Sequence, residues 1–215
     1  MSIDGKIQAL NNAIRESIPS MQDAAADNPT VELLVRALTF SSGAQWHIQQ
    51  PTPVDDFKWR DLSAGGITDM GEALSIVADE LDMSVMSDRA LPPVLVLISD
   101  GQPTDDYIGG LKKLLHQPWG QKAVRIAIGI GKDADMGVLQ QFISKGVGEP
   151  LVANNAEALT RYIKWASTAV SSVSSVVTPN PNNTTQKLEQ SENNHIEPPV
   201  VIPPTPTDGW EDDVW

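Results

Sequence analysis

Cysteine is absent from this chain of 215 residues, which excludes a disulfide framework, a zinc ribbon and a thiol nucleophile. The three histidines, His47, His116 and His195, are scattered and form no His-x-x-x-His pair, which argues against a zinc enzyme. Basic residues are scarce, 15 against 28 acidic ones, and the formal net charge is -13. Phosphate backbones and anionic lipid repel such a balance, so neither nucleic acid nor a membrane surface is an expected partner. No apolar run approaches a membrane span, and the start, Met1-Ser2-Ile3-Asp4-Gly5-Lys6-Ile7, lacks the apolar region of a signal peptide. A cytoplasmic location is the expectation. No Gly-x-Ser-x-Gly, Walker loop or Ser/His arrangement occurs, and the case for catalysis is weak.

What is present is an alternation of helices and strands. Ile7, Leu10, Ile14 and Ile18 recur at helical spacing, between Gly5 and a Pro19 expected near the helix end. Val31 to Phe40, the Ser41-Ser42-Gly43 turn and Ala44 to Ile48 read as a hairpin. Asp55 to Gly66 is a loop, acidic at its start and glycine-rich at its end. Met70, Ala73, Leu74, Val77, Ala78 and Leu81 mark a second helix. Pro93 to Ile98 reads as a strand buried on both faces, as in a parallel sheet. Thr104 to His116 is a helix, Val124 to Ile130 a strand and Asp135 to Ser144 a helix. Pro150 to Val152 is a short strand, and Glu157 to Val170 the last helix.

Such alternation predicts an α/β architecture of three layers around a mostly parallel sheet, with ligands bound at the carboxyl ends of the strands. Two polar loops fall there, Ala64-Gly65-Gly66-Ile67-Thr68-Asp69 and Ile98-Ser99-Asp100-Gly101. The Thr68 hydroxyl and the Asp100 carboxylate are hard oxygen ligands of the kind Mg²⁺ prefers, yet two are too few to hold it.

Each of these features also has an ordinary reading. Asp69-x-x-Glu72 can be a capping box, and Asp100-Gly101 before Pro103 can be a turn. Gly129-Ile130-Gly131 superficially matches a dinucleotide fingerprint but lies late in the sheet, where a turn is the better reading. The pairs Asp55-Asp56 and Asp105-Asp106 read as solvated loop charge, with Asp105 able to line the rim of the loop site.

From about residue 177 the composition shifts to Pro, Asn and acids, which cannot build a core. The expected organisation is a domain over 1–176 and a disordered acidic tail over 177–215. That tail ends in Gly209-Trp210-Glu211-Asp212-Asp213-Val214-Trp215. Tryptophan gains nothing in water, so Trp210 and Trp215 are candidate partner-docking anchors.

The order of the loops resembles a von Willebrand factor A (VWA) domain, and more narrowly the TerY-type tellurium-resistance branch. Gly65-Gly66-Ile67-Thr68 is similar to the family's Thr loop, and Leu97-Ile98-Ser99-Asp100-Gly101-Gln102-Pro103-Thr104-Asp105 to its Asp loop. Val124 to Gly131 with Lys132-Asp133-Ala134-Asp135 resembles its fifth strand and turn, and Tyr162 to Ser167 its closing helix. The resemblance implies a metal-ion-dependent adhesion site with Thr68 and Asp100 as ligands, and Gly66, Ile67, Ser99 and Gln102 near the bound partner.

Met1 to Ile7 resembles the stretch directly after the family's Asp-x-Ser-x-Ser loop. The first strand and three of the five metal-binding side chains would then be absent, so Mg²⁺ or Mn²⁺ binding by this chain is expected to be weak or absent. Loss of a central strand leaves buried hydrogen bonds unmade at about 1–3 kcal/mol each, against a total stability of about 5–15 kcal/mol. Met1 is therefore expected to be an internal methionine of a longer protein, with a strand supplied in trans as the second possibility. The resemblance implies a non-catalytic protein-binding module, metal-assisted when complete, in a bacterial stress or tellurium-resistance system. It also implies a carboxylate-presenting protein partner, with a protein kinase and a PP2C-type phosphatase as candidates. The alternatives are a Mg²⁺-dependent hydrolase or phosphoryl-transfer enzyme using Asp100, and a metal-independent scaffold.

Overall fold

A computed structural model describes residues 5–86, 90–145 and 147–177. The acidic tail, including Trp210 and Trp215, lies outside the described residues. The chain opens with helix α1 (Lys6–Ala26), followed by the short strands β1 (Leu34–Val35), β2 (Leu38–Ser41), β3 (Gly43–Trp46) and β4 (Thr52–Pro53). Then come α2 (Met70–Glu80), β5 (Val94–Ser99), α3 (Tyr107–His116), α4 (Pro118–Lys122) and β6 (Val124–Ile130). The described part closes with α5 (Met136–Phe142), β7 (Leu151–Ala153) and α6 (Ala156–Val177).

The strands β5, β6 and β7 form a parallel sheet in that spatial order. Alternation along β6 sorts its side chains between two helical layers, because successive residues point to opposite faces. Ile128 and Ile130 pack against α1 and α6 with Ala9, Leu10, Leu159 and Ile163. Ala127, together with Leu97 of β5, faces a larger cluster built from Met70, Leu74, Leu111, Leu114 and Phe142. The result is the expected three-layer α/β arrangement.

Among the described residues β5 pairs with β6 alone, and the hairpin β2–β3 forms a separate two-stranded sheet. The expectation of a strand buried on both faces therefore holds for β6 and not for β5. Val94, Leu95 and Ile98 of β5 are half-buried, and Val96 is 39% exposed. Both faces of β5 meet helical clusters, but its unpaired edge among the described residues leaves Val96 exposed despite its hydrophobicity.

Several boundaries also differ from expectation, the hairpin among them, since only Leu38–Ser41 and Gly43–Trp46 pair while Leu34–Val35 pairs with Thr52–Pro53. Helix α1 runs through Pro19 to Ala26 rather than ending there. Proline removes one backbone bond, but Met21 and Ala24 continue beyond it the buried face that Ser17 holds before it. Residues 118–122, for which the sequence reading named no element, form the short helix α4, with Pro118 preset for its first turn. The last helix extends past Val170 to Val177.

Helices α2 and α3 approach so closely that their crossing needs glycine on both sides. A Cβ at Gly110 would sit 2.2 Å from the Gly71 carbonyl oxygen, and one at Gly71 would sit 2.3 Å from the carbonyl oxygen of Asp106. Alanine adds about 1 kcal/mol of helix propensity over glycine. Backbone overlap of this size outweighs that gain, so Gly110→Ala is expected to lower stability by about 1–3 kcal/mol, read as a reduced Tm.

Tyr107 starts α3 almost fully buried, its hydroxyl donating to the Val138 carbonyl at 2.9 Å. Burial pushes its pKa up from 10.0 to about 12. The unfolded chain therefore gives up this proton first, and stability falls as pH rises from 10.0 to about 12. Tyr107→Phe is expected to flatten that part of the profile of Tm against pH.

Candidate functional site

Because β5 and β6 run parallel with Ser99 level with Gly129, the loops that follow them open at the same edge. The loop before α2 and the first turn of α1 reach this edge too. Its architecture rests on backbone hydrogen bonds accepted by carboxylates.

Asp69 joins three loops. Its amide donates to the Ser41 carbonyl at 3.0 Å, and its carboxylate accepts from the Gly43 amide at 2.7 Å and from the Thr104 hydroxyl at 3.1 Å. The Ser41 carbonyl and the Gly43 amide, on either side of the β2–β3 turn, are thereby satisfied from outside the hairpin. Thr104 completes the joint, since its hydroxyl accepts from the Thr68 amide at 3.0 Å and its own amide donates to the Thr68 carbonyl at 2.9 Å. At Gly66 (φ 78°) the loop passes so close to the hairpin that a Cβ would lie 2.7 Å from the Ser42 nitrogen. Only glycine fits this left-handed, crowded position.

The capping box expected from Asp69 and Glu72 does not form, and Asp69 makes no side-chain cap to α2. Asp105 performs that task from the neighbouring loop, its two carboxylate oxygens accepting from the Gly71 and Glu72 amides at 2.8 and 2.7 Å. Asp106 caps α3, accepting from the Gly109 amide at 2.9 Å. Asp105 and Asp106, read as solvated loop charge, are thus helix caps as well, with Asp106 still exposed. Carboxylates facing the positive ends of two helices are held by the unpaired amides there.

The loops that carry Thr68 and Asp100 meet at this edge, where a Cβ on Gly101 would stand 3.4 Å from the Thr68 hydroxyl oxygen. The Asp100 side chain is 18% exposed, and the Lys6 ammonium reaches it at 3.8 Å. The same ammonium lies 3.5 Å from Asp133, in the loop after β6. Gly66, Ile67 and Gln102 are exposed on the rim, Ile67 at 56%. Ser99 is buried, and its hydroxyl serves the Gly101 turn, accepting from the Gly101 amide at 3.3 Å. It shapes the loop from beneath and is not on the exposed rim.

A divalent ion does not fit the described residues as they stand. No group of three His, Asp or Glu side chains among them is placed to hold a metal. Thr68 and Asp100 offer two oxygens where a hard cation takes six or more, counting water. A charged group that does reach Asp100 is itself a cation. The turn expected at 129–131 starts only at Gly131 (φ 75°), whose amide donates to the Ala153 carbonyl, because Gly129 and Ile130 are the end of β6, paired with Val152 and Ala153 of β7.

Two residues escaped the sequence reading. Lys6 carried no signal, because nothing in the sequence places it opposite Asp100. Asn11 did carry one, since it falls on the apolar stripe of Ile7, Ile14 and Ile18. Buried there, it donates to the Leu62 carbonyl at 3.0 Å and accepts from the Leu62 amide at 2.9 Å and the Trp59 indole at 3.0 Å. It fastens the long loop before the site to α1.

Asp69→Ala is expected to cost about 1–3 kcal/mol, since it leaves the Gly43 amide and Thr104 hydroxyl without their acceptor. Hydrogen exchange should then quicken at Gly43 and Asp69 before the rest of the domain. Asp105→Ala removes a cap from α2, worth about 0.5–2 kcal/mol, and should quicken exchange at Gly71 and Glu72 instead.

The same fold occurs in solved structures of low sequence identity. A von Willebrand factor type A protein from Catenulispora acidiphila aligns with TM-score 0.58 at 15% identity, over 78% of this chain and 38% of its own. Proximal thread matrix protein 1 of the mussel byssus aligns with TM-score 0.56 at 17% identity, over 79% and 43%. The ArnB paralog VWA2 from Sulfolobus acidocaldarius aligns with TM-score 0.50 at 18% identity, over 71% and 39%. The chain thus spans about two fifths of the length of these structures. No curated protein sequence matches it. The family model of the von Willebrand factor type A domain matches residues 52–165, more than half of the chain, and the chain belongs to that family.

Proposed function

We propose that this VWA domain is a non-catalytic protein–protein interaction module whose partner docks on the loop edge bearing Ile67 and Gln102. The observation that carries the reading is the use made of the acids at that edge. Asp69, Asp105 and Asp106 all accept backbone amides, and Asp100 faces Lys6. These groups build a rigid platform with an exposed apolar tip at Ile67, which suits a binding surface better than acid–base chemistry. VWA domains in general are interaction modules.

The finer assignments belong to the same proposal. The motif order supports a TerY-like branch, a bacterial stress or tellurium-resistance context, and a cytoplasmic setting. None of the described helices is long and apolar enough to cross a membrane. A protein kinase and a PP2C-type phosphatase are the candidate partners, recognised through a carboxylate. The pairing of β5 on one side alone among the described residues supports a longer form in which a strand and an Asp-x-Ser-x-Ser loop precede α1. In that form Thr68 and Asp100 would help hold Mg²⁺ or Mn²⁺. The domain is taken to end near residue 176, and the tail with Trp210 and Trp215 to add a second contact.

A photo-crosslinking side chain at position 67 or 102 is expected to capture the partner, and one at His116, at the far end of α3, is not. Equal capture from all three positions would sink the proposed docking edge. The competing enzyme reading predicts Mg²⁺-dependent hydrolysis of ATP or p-nitrophenyl phosphate that Asp100→Asn abolishes. No such turnover is expected.

A further inference from the structure

We propose that Lys6 is the resident cation of the loop edge, and that its ammonium gives Asp100 the positive charge for which a VWA-type site otherwise needs a divalent ion. The first argument is geometric. The ammonium stands 3.8 Å from one Asp100 oxygen and 3.5 Å from one Asp133 oxygen, so a single charge bridges the loops after β5 and β6. Its side chain is 10% exposed and that of Asp100 18%, so water screens this pair far less than a surface ion pair.

The second argument concerns the helix. Lys6 is the first residue of α1, where the aligned peptide dipoles disfavour a cation. A lysine there, with its charge taken out of water, is sustained when carboxylates face it, and the fold supplies two. Asp133 is 84% exposed and contributes less, which leaves Asp100 as the counter-charge that matters.

The third argument is competition. A divalent ion beside Asp100 would share one carboxylate with an ammonium under 4 Å away, and the described oxygens are too few to compensate. Lys6 therefore sets the cation preference of the edge that the described residues build. The inference rests on reading Asp100 as the VWA-type site. It is tested by metal response alone, whereas docking is tested by crosslinking, so the two can fail separately.

The 215-residue chain and its variants are titrated with Mn²⁺, followed by electron paramagnetic resonance, and unfolded thermally with and without Mg²⁺. The wild type is expected to bind no Mn²⁺ at Asp100 and to keep its Tm when Mg²⁺ is added. Lys6→Met should lose Tm, recover it with Mg²⁺, and gain Mn²⁺ affinity on the order of tenfold. Adding Asp100→Asn to that variant should abolish both responses. Lys6→Arg, which keeps the charge, should behave as the wild type, and Lys6→Gln replaces Lys6→Met if the latter does not fold. Saturable Mn²⁺ binding by the wild type that Asp100→Asn removes would overturn the proposal. So would Lys6→Met or Lys6→Gln variants that respond to metal no more than the wild type.

Discussion

The carboxylate of Asp69 is the interaction on which the loop edge depends. Among the described residues the β2–β3 hairpin shares no ladder with the parallel sheet, so strand pairing does not fix its position. Packing of α2 against the hairpin sets the distance, but apolar packing is not directional. Hydrogen bonds are, and Asp69 supplies them at the turn itself, to the Gly43 amide and from its own amide to the Ser41 carbonyl. Through Thr104 the same carboxylate reaches the loop after β5. The loops of Thr68 and Asp100 are kept together by this joint.

A wider economy of charge follows from the composition. A chain with 28 acidic residues against 15 basic ones has few cations to set beside its carboxylates, which repel where they gather. At this edge the repulsion is met by giving each acid a positive counterpart that is part of the fold. Asp105 and Asp106 face helix N-terminal amides, Asp69 faces the hairpin turn, and Asp100 faces an ammonium. The acids thus become structural, and the rim beyond them is left to Gly66, Ile67 and Gln102. An edge organised in this way is stiff, carries an apolar tip and has its charge largely matched.

The legibility of the fold varied with the physical origin of each element. Helices α2 and α3 and strand β6 could be read closely, because period 3.6 and a continuous apolar run are properties of the segment itself. Strand β5 has the same apolar run as β6 yet is half exposed, since burial depends on how many neighbours a strand has. Pro19 marked a helix end by its local chemistry and was overridden by the buried face that Met21 and Ala24 continue. Asp69 matched a capping box in sequence, and the cap came from Asp105 instead, because a residue 34 positions away from Gly71 was closer in space to its amide.

By itself the sequence determined the α/β class, the order of the elements and the placing of Thr68 and Asp100 on loops at one edge of the sheet. Those follow from periodicity and from the rule that parallel strands point their carboxyl ends the same way. Tertiary structure alone decided which groups meet there: Lys6 with Asp100, Asp69 with the hairpin turn, and Asn11 with Leu62 and Trp59. Each pairing joins residues tens of positions apart in the chain. A hydrogen bond or an ion pair requires proximity of a few ångströms, and no local pattern in the sequence encodes that.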